Sequence, residues 1–182
     1  MAKVMLKNVR ISFPDLFEAK SFDGEQEPKY GAQLLVEKEG ENYEKIMEAM
    51  KSTSSEKWGK AAEKAMVTLQ KQGKTFLNDG DEKEYDGYEG MFYISAKSKT
   101  RPTVIDKDKT PLDSTDGKPY SGCYVNAAVE VWAQDNKWGK RINCQLRGVQ
   151  FFADGEPLSG GRPASVDEFD AFETEDDEDD LF

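Results

Sequence analysis

Apolar positions recur at every second residue near both ends of the folded part of this chain, and at every third or fourth residue between them. Met5, Val9, Ile11 and Phe13 share one parity, interrupted by Lys3 and Lys7, which predicts a strand over 3–13 that stops at Pro14. Tyr30 to Val36 is a second apolar run. Between Glu41 and Gly73 the period changes: Tyr43, Ile46, Met47 and Met50, then Trp58, Ala61, Ala62, Ala65, Met66 and Leu69, recur at helical spacing. Two helices follow, with Thr53 and Glu56 as a capping box between them and Gly73 at the C′ position of the second. Residues 91–105 read as strand apart from Pro102, 106–119 are rich in turn formers and charge, and strands resume at Tyr120. The order β, β, α, α, β, β, β is a mainly β architecture with a helical insertion covering one end of a sheet.

The cleanest alternation lies between Cys123 and Phe152. Cys123, Val125, Ala127, Val129 and Val131 share one face, and Ile142, Cys144, Leu146 and Gly148 share another. Matching apolar to apolar across a four-residue loop, Asp135 to Trp138, opposes Val131 to Ile142, Val129 to Cys144, Ala127 to Leu146 and Val125 to Gly148. The outer face then opposes Trp132 to Arg141, Glu130 to Asn143, Ala128 to Gln145 and Asn126 to Arg147. This register sets Cys123 opposite Gln150, about 20 Å from Cys144 along the strand, too far for a disulfide.

Charge changes the picture once it is located. The 182 residues carry a net charge of −11, but ten acids and no base fall between Ser165 and Phe182, which leaves 26 acids for the 25 bases of residues 1–164. An almost neutral body with an acidic tail does not exclude a polyanionic partner. No run is long and apolar enough to span a bilayer and no signal-peptide block opens the chain, so a soluble protein of a reducing cytoplasm is expected. The absence of histidine removes imidazole acid/base chemistry and His-ligated zinc. Gly73-Lys74-Thr75 lacks the earlier glycine of a phosphate loop, since position 68 is Thr68, and reads as a helix stop. Asp79, Asp81, Glu82, Glu84 and Asp86 fail the calcium-loop pattern at Lys83 and Glu84 and read as a solvated loop. No cofactor or metal is implied.

The outer face of the hairpin mixes an aromatic ring, two arginines and amides. From Lys97 to Arg147 ten bases meet six acids and interleave with Tyr120, Tyr124, Trp132 and Trp138, and Tyr93 lies just ahead of them. Cations alternating with rings suit a nucleic-acid single strand, with phosphates on the cations and bases on the rings. The tail has too little apolar area to fold alone, and is expected to be disordered. Its end, Asp179-Asp180-Leu181-Phe182, suits a partner whose apolar pocket takes a ring inside a basic rim.

Val9-Arg10-Ile11-Ser12-Phe13-Pro14-Asp15-Leu16-Phe17, Gly122-Cys123-Tyr124-Val125-Asn126-Ala127, Gly148-Val149-Gln150-Phe151 and Ser159-Gly160-Gly161-Arg162-Pro163 together resemble a family of tailed-phage single-stranded DNA-binding proteins. The resemblance spans nearly the whole chain. It implies a five-stranded OB barrel over residues 1–162 that binds single-stranded DNA without sequence readout, and no enzyme activity. It also implies a tail, 163–182, whose Asp176, Asp177, Glu178, Asp179, Asp180, Leu181 and Phe182 recruit replication and recombination proteins of a bacterial host's cytoplasm and compete with DNA for the barrel. Two helices ahead of the third long strand depart from the simplest OB order, where one helix follows it. The groove residues expected are Tyr93, Lys97, Lys99, Arg101, Tyr124, Trp132, Lys140, Arg141 and Arg147. The rival readings are an acidic DNA-mimic inhibitor and a carboxylate-metal nuclease built on Asp79 to Asp86. No membrane partner is implied, and self-association is left open.

Overall fold

The first strand does not stop at Pro14. In the computed structural model, which describes residues 1–21, 27–158, 166 and 169–172, β1 spans Ala2–Lys20. Its backbone takes positive φ at Asn8 (54°) and Phe13 (48°), and its pairings break at those points. Pro14 sits in the second break, between Ser12 and Asp15, where its missing N–H removes no ladder bond. The bent strand thereby pairs with two neighbours in succession. Residues 2–10 lie against β6 (Tyr124–Asn136), and residues 10–20 against β2 (Lys29–Glu37).

Five long strands close a barrel. The order runs from β4 (Met91–Ser98) through β2, β1 and β6 to β7 (Gly139–Ala153), and a parallel pairing of Lys97 with Gln145 joins β7 back to β4. This is the five-stranded OB arrangement. Where β4 and β7 diverge, residues 74–79 fill the gap, and their last part is the short β3 (Leu77–Asp79). Ile142 donates its N–H to Lys74 O (3.1 Å), Phe76 to Ile142 O (3.0 Å) and Ser95 to Phe76 O (3.2 Å). β5 (Thr103–Ile105) runs parallel to the far end of β7. Inward positions, among them Leu6, Ile11, Leu34, Ile94, Val125, Val131, Ile142 and Leu146, form one buried core.

The helical insertion lies between the second and third barrel strands. α1 covers Glu41–Trp58 and α2 covers Ala62–Lys71, joined by a 3-10 turn over Gly59–Ala61. The expected break at Thr53 is corrected to Gly59. Thr53 faces the core and donates its hydroxyl to Val131 O (3.5 Å), so it caps nothing, whereas Gly59 takes the positive φ (56°) that ends the helix. Gly73 does end α2: its N–H reaches Gln70 O (3.2 Å) and that of Lys74 reaches Leu69 O (2.9 Å), the paired bonds of a Schellman cap. No helix among the described residues is long and apolar enough to cross a membrane.

The β6–β7 hairpin keeps the expected parity near its tip but shifts by two residues. Its turn is two residues, Lys137 and Trp138, because pairing continues to Asn136 and Gly139, and Asn136 Oδ1 accepts the Trp138 N–H (2.9 Å). Val131 therefore faces Cys144, Trp132 faces Asn143, Glu130 faces Gln145 and Gln134 faces Arg141. A bulge at Arg147 then flips the phase, so that Val149 and Phe151 point inward in place of Gly148. Gly148 lets Thr103 of β5 approach, where a Cβ would stand 3.3 Å from Thr103 O. The strand expected from Tyr120 begins at Tyr124; the Tyr120 hydroxyl instead donates to Asp154 (2.6 Å). Cys123 and Cys144 are free and buried, and burial pushes the Cys123 thiol up to about 11 and that of Cys144 further.

Candidate nucleic-acid interface

Alternation along three strands builds one open cleft. Ile94 and Ala96 point into the core, so Ser95 and Lys97 point out; Val131 points in, so Trp132 points out, as do Asn143 and Gln145 between the buried Ile142, Cys144 and Leu146. These side chains meet over the junction of β4 and β7 in a depression of about 950 Å³. Lys29 and Lys99 flank it, Arg141 and Gln134 stand near the hairpin tip, and Gly73, Thr75 and Asn78 line the third side. Asn143 Nδ2 donates to Gln134 Oε1 (3.2 Å), which sets the amides beside Trp132. Four cations line the cleft, and among the described residues lining it there is no carboxylate. Glu27, which is outside that lining, forms an exposed ion pair with Lys99 (3.2 Å) that holds it only weakly.

Of the nine expected groove residues, Lys97, Lys99, Trp132 and Arg141 come together here. The other five stand elsewhere. Tyr93 is buried in a second cluster with Leu35, Tyr88 and Leu158. Arg101 lies over the Phe17 ring (5.5 Å) and Lys140 near the Trp58 ring (5.9 Å). Arg147 is on the bulge, 3.8 Å from a Glu130 carboxylate oxygen. Tyr124 packs beneath Arg10 (5.9 Å), in a depression of about 470 Å³ that Glu37, Glu39, Glu41 and Glu89 also line. Lys29, Asn78 and Gln134 were not foreseen. Lys29 shares the outward parity of Gln33 on β2, the one trace of it in the sequence.

Tyr93 is covered by two segments. The loop 80–90 brings Tyr88 against it (5.4 Å between ring centres), and the Tyr88 hydroxyl bonds Gln33 Oε1; burial pushes that phenol up to about 12. From the other side comes the strap Asp154–Leu158. Arg10 donates from Nε to Gly122 O (3.0 Å) and from Nη2 to Glu156 O (2.6 Å), and Leu158 N–H donates to Ser121 O (3.1 Å). The strap passes so near the barrel that a Cβ on Gly122 would stand 2.1 Å from Glu156 O.

In the acidic loop, Lys38 Nζ bridges Asp79 (2.9 Å) and Asp81 (2.7 Å), and Asp81 also accepts the Gly90 N–H (2.8 Å). The hydrogen bond from Lys38 holds the Asp81 carboxyl below its ordinary value. Among the described residues no three His, Cys, Asp or Glu side chains stand close enough to hold a metal ion. The expected tail, 163–182, lies outside the described residues except for Val166 and 169–172, where Val166, Phe169 and Phe172 are exposed. The glycine linker Ser159-Gly160-Gly161 and the end Leu181-Phe182 lie outside them too.

Comparison with known proteins agrees with the barrel. The family model of the single-stranded DNA-binding protein of Enterobacter phage Enc34 matches residues 2–182. A putative protein p50 of Acyrthosiphon pisum secondary endosymbiont phage 1 is 48% identical over 171 residues, which cover 92% of each chain. The structure of the bacteriophage Enc34 single-stranded DNA-binding protein in complex with single-stranded DNA superposes with a TM-score of 0.71 at 32% identity, covering 85% of this chain and 88% of that one. The single-stranded DNA-binding protein gp2.5 of bacteriophage T7 shares the fold, with a TM-score of 0.57 at 10% identity over 94% of this chain and 99% of its own.

Proposed function

We propose that this chain, which belongs to the family of phage single-stranded DNA-binding proteins typified by that of Enterobacter phage Enc34, binds single-stranded DNA in the cleft between β4 and β7. The observation that carries this reading is a cleft lined by four cations and Trp132, and by no carboxylate among its described residues, on a chain of net charge −11. Phosphates pair with Lys29, Lys97, Lys99 and Arg141, and Trp132 offers a face on which an unpaired base stacks. Duplex DNA hides those faces in its own stack. Nothing in this division of labour discriminates one base from another, so binding is independent of sequence. The protein acts as a binder of strands and not as a catalyst on them, in the cytoplasm of a bacterial host during phage DNA replication and recombination.

The tail supplies a second function. Ten carboxylates on the same chain as the cleft reach an effective concentration in the millimolar range, on the order of that of short flexible linkers, and compete with phosphate. Leu181 and Phe182 serve as the apolar anchor for replication and recombination proteins. A gel-shift comparison of single-stranded and duplex DNA at two salt concentrations tests the first part: single strands bind far better, and more weakly as salt rises. Equal affinity for duplex would sink it. For the second part, Phe182→Ala leaves DNA affinity unchanged and abolishes capture of host or phage replication proteins; full capture would remove the anchor.

A further inference from the structure

A second depression adjoins the cleft across the ridge formed by residues 73–76 and 140–142. It holds about 400 Å³; Ala61, Ala65 and the buried Leu69 give it an apolar lining, and Lys64, Lys74 and Lys140 a cationic one. Side chains alternate across the ridge. Thr75 and Arg141 line the cleft, while Lys74 and Lys140 line the second depression. The crossing is bare at Gly73, where an added Cβ would meet nothing within 4 Å.

The three lysines sit on a fixed frame. Trp58 Nε1 donates to Asp135 Oδ2 (2.8 Å), tying the end of α1 to the hairpin, and Gln70 Nε2 donates to Leu77 O (2.9 Å), tying α2 to β3. Lys74, just past the end of α2, is favoured there by the helix dipole and would need no other explanation. Lys64 is different: it stands in the first turn of α2, where the dipole disfavours a cation, so helix stability gives no reason for it.

We propose that the helical insertion extends the single-strand path, so that DNA leaving the cleft at Arg141 crosses Gly73 and is held by Lys64, Lys74 and Lys140. Charge complementarity and continuity with the cleft select this occupant, and the inference rests on the reading of the cleft given above. A short strand fills the cleft alone. A long one occupies both.

The test compares oligothymidines of about 6 and about 30 nucleotides, the first near the lower end of the roughly 4–16 nucleotides that an OB fold covers and the second well beyond it. In the full-length chain, Lys64→Ala with Lys74→Ala lowers the slope of log affinity against log salt for the long strand by about 1.4, two phosphates at about 0.7 each, and leaves the short strand unchanged. Lys64→Arg with Lys74→Arg restores the slope, which separates charge from folding. An unchanged slope on the long strand overturns the track, as does an equal loss on both lengths. A pair of lysines that instead receives the acidic tail of another copy leaves DNA binding intact and shifts self-association, which also overturns it. If the unaltered protein binds neither length, the cleft reading itself fails, and that outcome is distinct from the others.

Discussion

Tyr93 and Lys97 point outward from the same strand, four residues and roughly 13 Å apart, yet they end in opposite environments. At Lys97 the outer face of the barrel is left open, with cations, amides and one indole around a cleft. At Tyr93 it is sealed by Tyr88 from the acidic loop and by Leu158 from the strap, and the depressions beyond are lined by Glu37, Glu39, Glu41, Asp81, Glu84, Asp86 and Glu89. Both ends carry aromatic rings. What separates them is which segments return to cover the sheet, and that decides which ring serves the core and which can meet a ligand.

The sharpest way to break this contrast is to exchange the expected roles of the rings. Tyr93→Ala removes a buried ring and costs about 3 kcal/mol or more of stability, read by denaturant unfolding, while the salt dependence of DNA binding by the folded fraction stays as it was. A loss of affinity without a loss of stability would put Tyr93 in the groove after all. Next in size, Lys97→Glu with Arg141→Glu weakens single-strand binding a hundredfold or more at low salt, about 2.7 kcal/mol, because two phosphate contacts become repulsions. Reversal of Lys38, which is held by Asp79 and Asp81 at the sealed end, leaves binding within a factor of about two if charge acts locally.

Trp132→Ala costs about 1–3 kcal/mol of binding, one stacked base, with little change in the salt slope; an unchanged affinity would leave the cleft as a phosphate site without stacking. Deleting residues 165–182 moves the net charge from −11 to −1 and tightens DNA binding severalfold at low salt, with the gain vanishing as salt screens the tail. No gain at low salt would end the idea of self-competition. The smallest effect is one of pH at the sealed end. The folded protein holds Asp81 below 3.8, so the stability contributed by its bond to Lys38 is present above that value and is lost as pH falls through the lowered folded value. The stability difference between the unaltered protein and Lys38→Met therefore narrows on acidification below pH 3.8, and a difference that stays constant would assign it to packing.

Much of the barrel was legible because a period of two is a local property. The inward set of β6, from Val125 to Val131, and the outward position of Trp132 follow from alternation alone, as do the helices from their spacing and the stop at Gly73. The concentration of acids in the last eighteen residues, and with it the near-neutral body, needs no structure at all. Parity, however, is unchanged by a shift of two. The register of β6 against β7 therefore depended on where pairing stops, which the Asn136 side chain and the positive φ of Gly139 decide, and the bulge at Arg147 has no trace in an apolar pattern.

The tertiary structure alone decided what lies over each outward position. Thr53 and Glu56 form a capping pattern by spacing, but the helix runs through them because its inward face continues through the buried Thr53 and Ser54 to the half-buried Trp58. Five of the nine expected groove residues lie outside the cleft because alternation reports the side of the sheet and not what returns to cover it. The strap Asp154–Leu158 is separated from Leu35 by about two thirds of the chain and from Tyr93 by about one third, and its close passage at Gly122 is a contact between distant segments. The parallel closure of Lys97 onto Gln145, which creates the cleft, is another. Local sequence determines which way a side chain points; whether that direction ends in solvent, in core or in a binding cleft is set by the packing of segments that sequence proximity never brings together.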